Sequence, residues 1–448
     1  MNVLLQSPLG ALLAKPWVDQ AGLFGLRRWY RPLSRLWAAA NQAGTDAALF
    51  REQVGALPAF WSDFRLRRLL GHHDRLRQAG EAARAGWETT IFDAHSATDP
   101  GALDRRRRAA ATRHLMTRAA FYPLLFPRPP AASLWRIDPP DSVPVPDAAA
   151  LYRGSLDAGS IEVSRPFVQD GLRECWLRAP TPSALLRMRP GSETMYARVV
   201  EPAGPAVGET LILGSGLCLE FELLALAHDP GRRLAAMGWR VIEPISPYHG
   251  LRAMPGFYGG EPFFGLAPTG SLDLIAGQAL ETALLTAWAR GHVGGRIAVG
   301  GISMSSFVAQ QVASHCSLWP VEARPDAVLL ISHSGRIEDV TFGGELAASF
   351  GIDRALRTAG WSRETLVRLS TAIDPSEAPA LAPSRIVSVL GETDRWVPYG
   401  SGLAVVRRWK LPEANIFRYP LGHLGMPVQL TRDPAPFERL RQVLREAS

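Results

Sequence analysis

The chain has 448 residues, of which 47% are hydrophobic and 20% are charged, and its formal net charge is +7. This composition excludes a disordered protein, and the length predicts a large catalytic domain with an extension. Cys175, Cys218 and Cys316 are odd in number and widely spaced, so the sequence implies neither a disulfide framework nor a zinc site. With no secretory signal pattern and no long apolar stretch visible, we expect a cytoplasmic protein in a reducing compartment.

The positive charge is concentrated in the first 110 residues, which carry sixteen basic and ten acidic side chains. Such a region could meet phosphate, lipid headgroups or an acidic protein surface. Only Lys15 and Lys410 are lysines, so an arginine bias of the genome is sufficient to account for much of the excess. We therefore predict no nucleic-acid partner.

Residues 1–122 are predicted to be helical, most clearly over Phe24–Ala40 and Phe60–Ala85, where apolar residues recur at three- and four-residue spacing. Eight prolines between 123 and 146 then predict a linker or an extended wrap over the next domain. We predict an Arg-rich helical region over 1–150 and an α/β domain over 151–448.

Three polar or basic patterns in this first region allow a functional hypothesis. The basic, aromatic run 24–37 fits either docking on the second domain, which we favour, or peripheral contact with an anionic membrane. His72-His73-Asp74 resembles a metal pair, but neighbouring helical residues point about 100° apart, so we expect a solvated helix face. Arg105–Arg108 is expected to be solvated too.

The second region alternates strands with helices, which predicts a mainly parallel sheet covered on both faces. The predicted strands are Met195–Glu201, Glu209–Leu213, Arg240–Glu243, Arg296–Val299, Ala327–Ile331, Ile386–Leu390 and Asn415–Tyr419. The predicted helices are Glu220–Ala236, Leu272–Arg290, Ser306–Ser314 and Phe437–Ala447. Extra helices over 343–373 predict either an inert insertion or a cap over the site.

The strongest motif is RIAVGGISMSSF, from Arg296 to Phe307. A short apolar strand leads into a tight turn with a central serine, and a helix follows. This arrangement is typical of a nucleophile elbow, in which a strained turn lifts the hydroxyl of Ser303 above the sheet. The pattern is G-x-S-x-S, with Ser305 where glycine is usual.

A serine nucleophile needs a histidine base oriented by a carboxylate. In proteins with a nucleophile elbow after a parallel strand, the three residues follow along the chain in the order Ser, acid, His. The strand IVSVLG is followed by Asp394, with Glu392 as a competing acid nearer the strand. His423, between two glycines, is the only histidine after them. We predict Ser303, Asp394 and His423 as a catalytic triad.

Acyl transfer also needs N–H donors for the developing oxyanion. The N–H of Met304, directly after the nucleophile, is the expected first donor. The second should come from the loop after an early strand, GSGLC over 214–218, where glycine permits close backbone approach. We predict the N–H of Leu217, with that of Gly216 as the alternative.

Together these motifs resemble the α/β-hydrolase superfamily. The segments Gly301-Ile302-Ser303-Met304, Ser246–Arg252 and Gly214-Ser215-Gly216 further resemble the family of alpha/beta-hydrolase-domain-containing protein 18, over roughly residues 190–430. This resemblance implies an α/β-hydrolase fold and an ester or related acyl hydrolase with no cofactor and no metal.

The expected function is hydrolysis of a small, apolar ester or acyl substrate through an acyl-enzyme. The same triad also serves thioesterases, amidases and C–C hydrolases, and a non-catalytic scaffold protein is the alternative from another class. The turn at 247–252 and the aromatic loop 257–264 could line an acyl pocket or simply pack.

Overall fold

The computed structural model describes residues 17–55, 57–58, 60–126, 133–204, 207–218 and 229–446. Helices make up most of the chain up to residue 125, and a ten-stranded mixed sheet flanked by helices follows. The strands are β1 (Glu162–Val163), β2 (Phe167–Gln169), β3 (Leu172–Pro180), β4 (Thr194–Pro202), β5 (Glu209–Gly214), β6 (Arg240–Pro244), β7 (Arg296–Ile302), β8 (Ala327–Ile331), β9 (Ile386–Gly391) and β10 (Ile416–Tyr419).

The described α-helices before the sheet's parallel part are α1 (Trp17–Gly25), α2 (Arg31–Ala43), α3 (Ala47–Val54), α4 (Asp63–Ile91), α5 (Pro100–Met116), α6 (Ala148–Leu151) and α7 (Ala184–Arg187). The later ones are α8 (Pro230–Ala236), α9 (Glu261–Gly265), α10 (Thr269–His292), α11 (Met304–His315), α12 (Ile337–Gly343), α13 (Glu345–Phe350), α14 (Ile352–Thr358), α15 (Arg363–Val367), α16 (Ser370–Ile373), α17 (Tyr399–Arg408), α18 (Gly425–Arg432) and α19 (Ala435–Glu446). A π-helical turn, Leu26–Tyr30, joins α1 to α2, and a 3-10 helix, Thr117–Leu125, follows α5.

The strand order is β1-β3-β4-β6-β5-β7-β8-β9-β10, with β2 beside β3. From β3 to β10 only β4 runs against the others, since it pairs antiparallel with β3 and β6 while β6 to β10 pair in parallel. A mostly parallel sheet of this kind, covered by helices on both faces, is the α/β-hydrolase fold.

The central strands are apolar because both of their faces are covered. Every residue of β8 and β9 is buried, as expected for parallel strands between two helical layers. On one face α10 and α11 supply the main core, and on the other α8 and α19 supply a second core. The strands that carry the loops at the carboxyl edge are therefore packed on both faces.

The register of the parallel strands aligns their carboxyl ends. Gly214 of β5 pairs with Gly301 of β7, Ile302 pairs with Ile331 of β8, and Tyr419 of β10 pairs with Gly391 of β9. The loops that follow β5, β7, β9 and β10 consequently leave the sheet at one edge, where ligands bind in open α/β sheets.

From β4 onward the predicted strands correspond to strands of the sheet, and the predicted helices correspond to helices that flank it. The predicted strand Ala327–Ile331 coincides with β8. The sheet begins earlier than predicted, because β1 to β3 lie before the first predicted strand at Met195. In β3 the pattern is obscured by the buried charge of Glu174, which pairs with Arg232. Part of the predicted helix Glu220–Ala236 lies outside the described residues, and its described end is α8.

The N-terminal helices have a small core of their own and also pack on the sheet domain. Leu36, Phe50, Leu66 and Phe121 are fully buried in that core. Across the contact with the sheet domain, the Arg35 guanidinium lies 3.1 Å from the Glu261 carboxylate, and both side chains are buried. The boundary at residue 150 stays a prediction.

The expectation of a solvated face at His72-His73-Asp74 is wrong for the last two residues. His73 is fully buried, with Nδ1 at 2.8 Å from Thr117 Oγ1 and Nε2 at 2.9 Å from Asn41 Oδ1. Burial, together with the nearby Arg77, lowers the pKa of His73 to about 4. The packing of α2 and the 3-10 helix against α4 buries this side, which the pattern of one helix cannot reveal.

The expectation that Arg105–Arg108 is solvated is also wrong in part. The Arg107 side chain is buried, bonds the buried Asp104 at 3.1 Å and lies over the rings of Trp87 and Trp176. Arg108 bonds Asp104 and Glu174 of β3. This face of α5 therefore packs on the sheet domain, while Arg105 and Arg106 remain exposed.

Candidate active site

The predicted nucleophile elbow consists of β7, a strained turn and α11. Ser303 has φ 54° and ψ −112°, a backbone conformation that is rare for a residue with a side chain. Its N–H donates to the Ile331 carbonyl at 2.9 Å, which fixes the turn to β8. A Cβ at Gly301 would collide with the Ser305 carbonyl, so this turn requires glycine there.

The departure from G-x-S-x-G is accommodated by two hydrogen bonds. The Ser305 hydroxyl donates to the Ser215 carbonyl in the loop after β5, and the Ser306 hydroxyl donates to the Ser303 carbonyl. The Ser305 side chain fits because residue 214 is glycine, whose added Cβ would overlap it. Ser305 therefore ties the elbow to the loop that we predicted to hold the second oxyanion donor.

The predicted acid and the predicted base meet at the ends of β9 and β10. Asp394 Oδ2 accepts from His423 Nδ1 at 2.7 Å, while its Oδ1 accepts from the N–H groups of Trp396 and Val397 at 3.0 Å. Asp394 is buried. The His423 ring stacks on the Trp396 ring with centroids 5.2 Å apart. Ring and carboxylate are thus both fixed, and the Nε2 atom is left for chemistry.

The competing acid does not take part in this contact. Glu392 is exposed, and the carboxylate that bonds the ring of His423 is that of Asp394. Among the described residues no hydrogen bond joins the Ser303 hydroxyl to His423. Contacts between a nucleophile and its base are often looser in unliganded hydrolases and tighten when substrate binds.

The pKa of His423 is raised above its usual value. Burial alone would lower it, but the negative charge of Asp394 and its hydrogen bond to Nδ1, together with the charge of Asp19, outweigh burial. Carboxylates beside the ring stabilise its protonated form. The same arrangement stabilises an imidazolium that has just accepted a proton.

The loop after β5 offers two backbone donors near the elbow. Neither the Gly216 nor the Leu217 N–H donates to another described residue. The next N–H, that of Cys218, is already used, because it donates to His249 Nε2 at 3.0 Å. Met304 is the first residue of α11, and N–H groups at this position lack acceptors within a helix.

His249 is a structural part of the site that sequence reasoning did not single out. Its Nδ1 donates to the Pro247 carbonyl at 2.8 Å, so Nε2 is free to accept from Cys218. Burial lowers the pKa of His249 to about 4, which keeps the ring neutral. A Cβ at Gly260 would collide with this ring. The Ser246–Arg252 turn was the available signal, since the sequence marks it as a family motif and as a possible part of an acyl pocket, but neither interpretation assigns a role to His249.

The basic, aromatic segment 24–37 docks on the sheet domain, as we favoured. The Tyr30 hydroxyl donates to the Cys218 carbonyl at 3.1 Å, beside the predicted oxyanion loop. Arg31 donates to the Phe350 carbonyl at 2.7 Å, in the helices inserted between β8 and β9. The loop 257–264 packs here too, since Tyr258 and Phe264 share an apolar cluster with Ala38 and Phe350.

The residues that the structure describes contain neither a membrane-spanning helix nor a metal-binding cluster. None of their helices is long and apolar enough to cross a membrane. They also contain no group of three or more His, Cys, Asp or Glu side chains that could hold a metal ion.

No family model and no curated protein matches the sequence. Solved structures that resemble the fold include a cold-adapted esterase from an Arctic intertidal metagenomic library, with 16% identity, a TM-score of 0.40, and coverage of 62% of this chain and 97% of that one. Acetyl xylan esterase 1 from Thermoanaerobacterium sp. JW/SL YS485 has 17% identity and a TM-score of 0.43, with coverage of 62% and 89%. Brefeldin A esterase, a bacterial homologue of human hormone sensitive lipase, has 18% identity and a TM-score of 0.39, with coverage of 67% and 81%.

Proposed function

We propose that this chain is a serine hydrolase that cleaves a carboxylic ester through an acyl-enzyme. The observation that carries the proposal is the hydrogen bond of Asp394 to His423 at the same sheet edge as the strained Ser303. A non-catalytic scaffold would have no need to fix an imidazole in one tautomer beside an elbow of this kind. The scaffold alternative is therefore disfavoured.

In the proposed reaction the Ser303 oxygen attacks the ester carbonyl carbon as His423 Nε2 takes the hydroxyl proton. Asp394 holds Nδ1–H and stabilises the positive ring. The N–H of Met304, with that of Leu217 or Gly216, binds the negative oxygen of the tetrahedral intermediate. Collapse breaks the bond to the alcohol, which leaves with the proton from His423.

Deacylation repeats these steps with water. His423 takes a proton from water, the hydroxide attacks the acyl carbon, and the acid leaves as Ser303 recovers its proton. No cofactor or metal is needed in this sequence. Thioesters, amides and activated C–C bonds fit the same scheme and are the alternative substrates within it.

The test is hydrolysis of p-nitrophenyl esters of increasing acyl length by the intact protein and by Ser303→Ala and His423→Ala. Turnover by the wild type that both variants abolish would support the proposal. Turnover that survives in Ser303→Ala would contradict it. The preferred acyl length would also test the prediction of an apolar substrate.

Two finer predictions remain open to experiment. Kinship with the family of alpha/beta-hydrolase-domain-containing protein 18 depends only on the three segments named above. Peripheral membrane contact through the basic N-terminal region is a proposal supported by the exposure of Trp17, Phe24 and Trp29. Sedimentation with anionic vesicles would test this contact, and absence from the vesicle pellet would contradict it.

A further inference from the structure

The first described helix places a second carboxylate on the loop that carries His423. Asp19 lies in the first turn of α1 and is 5% exposed. Its Oδ2 accepts from the His423 N–H at 2.6 Å, and its Oδ1 accepts from the Leu424 N–H at 2.8 Å. These are backbone bonds, so Asp19 fixes the position of the loop and leaves the imidazole ring free.

The local sequence of the loop fits this contact. A Cβ at Gly422 would collide with the Asp19 carboxylate, so only glycine permits the approach. Leu424 is the N-cap residue of α18 and offers no side-chain cap. Asp19 thus supplies from a distant helix the acceptor and the negative charge that the N-terminal end of a helix favours.

The hydrogen-bond geometry of Asp19 fits its ionised form, although its pKa is raised. Burial raises the pKa of Asp19, while the two N–H bonds and His423 oppose that rise. Because both carboxylate oxygens accept from N–H groups, the geometry fits the ionised form. Its charge adds to that of Asp394 in raising the pKa of His423.

The remainder of α1 packs on the same part of the site. A Cβ at Gly22 would collide with the Leu424 side chain and touch the Trp396 ring, which stacks on His423. Directly after Asp19 in the chain, the Gln20 amide donates to Glu345 of the inserted helices at 2.8 Å, at an exposed position. Gln20 therefore contributes to docking of the helix without touching the histidine loop.

We propose that Asp19 is a positioning residue that holds the backbone of His423 in place for proton transfer. This inference rests on the proposed function, and it assigns to the N-terminal helix a part in the reaction. If Asp19 only docked α1, its replacement would change stability but neither the pH profile nor kcat of the remaining folded protein.

The experiment compares Asp19→Asn with Gln20→Ala in the full chain, using the rate of fluorophosphonate labelling from pH 5 to pH 9. Asparagine can accept one of the two N–H bonds but carries no charge. We expect Asp19→Asn to be labelled about tenfold more slowly or worse, since small displacements of a catalytic group are costly. Its pH midpoint should also move down by roughly half a unit, because the lost carboxylate no longer favours imidazolium.

Steady-state ester hydrolysis gives the second readout. Asp19→Asn should lower kcat and leave KM nearly unchanged, whereas Gln20→Ala should match the wild type in both. If Asp19→Asn is unfolded by circular dichroism, Asp19→Glu replaces it, because this variant keeps the charge but is one methylene too long for both bonds. Slow labelling with an unshifted pH midpoint is then the expected result.

The outcomes separate the two proposals. If the wild type is not labelled at all, the proposed function is contradicted and the inference falls with it. If the wild type is labelled and the folded Asp19 variant has the same rate and pH midpoint, only the role of Asp19 is contradicted. A slower rate without the downward shift in Asp19→Asn would support the positioning role and contradict only the contribution of the Asp19 charge to the pKa of His423.

Discussion

The sheet and the first helices hold the candidate site by different means. The sheet places Ser303, Asp394 and His423 through backbone register, since β7, β9 and β10 end at one edge. The segment 17–43, which we call the N-terminal brace, acts through single side chains. Its Asp19 and Tyr30 bond loops that lie far away in the sequence.

This difference predicts two kinds of damage. A change at a residue placed by the sheet should remove a chemical group from a site that otherwise keeps its shape. A change in the N-terminal brace should leave every chemical group present but let it move. The first kind should abolish turnover, and the second should reduce it or reduce stability.

The largest effect is expected for Asp394→Asn. The variant keeps the shape of the side chain but loses the charge that stabilises the His423 imidazolium, so kcat should fall by about 10⁴-fold. The exposed Glu392→Gln is the matched control and should stay close to the wild type. Steady-state ester hydrolysis measures both. A large loss in Glu392→Gln with little loss in Asp394→Asn would reverse our choice of acid.

The next effect concerns stability at the contact of the N-terminal brace with the sheet domain. Arg35→Met would leave the buried Glu261 carboxylate without its partner, which should lower the free energy of unfolding by about 3 kcal/mol. Arg51→Met removes the ion pair with the exposed Asp63 and should change it by less than about 1 kcal/mol. Urea denaturation compares them. Equal losses would mean that the brace does not depend on its buried ion pair.

A smaller effect is expected from acid, through His249. Its pKa in the folded protein is about 4, below the ordinary 6.5. The unfolded chain therefore takes up the proton first as pH falls, and the contribution to stability is complete above pH 6.5 and lost toward pH 4. When the pH falls from 7 to 5, the free energy of unfolding of His249→Gln should decrease by about 2 kcal/mol less than that of the wild type. If the urea midpoint shifts by the same amount in both proteins between pH 7 and pH 5, this role of His249 is contradicted.

The smallest effect is expected for Tyr30→Phe, which removes the hydroxyl that donates to the Cys218 carbonyl. One neutral hydrogen bond contributes about 1 kcal/mol, so the labelling rate should fall roughly fivefold at most, because the predicted oxyanion loop would be held less firmly. Tyr122→Phe changes a tyrosine that is 45% exposed and serves as the control. A fall of the same size in the control would show that the effect is not local.

The sequence predicted what local patterns encode. Strand, turn and helix were readable around Ser303, and the chain order of nucleophile, acid and base pointed to Asp394 and His423, which the structure brings into contact. Buried polar contacts were not readable. His73 and Arg107 were expected in solvent because burial depends on which elements pack against a helix face, and no local pattern records that.

The same limit applies to Asp19 and His249. Each is a polar residue whose partners are backbone groups, so the partner's side chain gives no complementary signal in the sequence. Asp19 also lies 404 residues before the histidine that it holds. Only the folded chain shows that it contacts the loop that carries His423.

The most direct test of the account is labelling of the intact protein with a fluorophosphonate probe, followed by identification of the modified residue. The phosphonate should form one bond to the Ser303 oxygen with loss of fluoride, and Ser303→Ala should not react. This result would establish an activated serine at the elbow. Labelling at another residue, or equal labelling of the wild type and Ser303→Ala, would contradict the assignment of Ser303 as nucleophile.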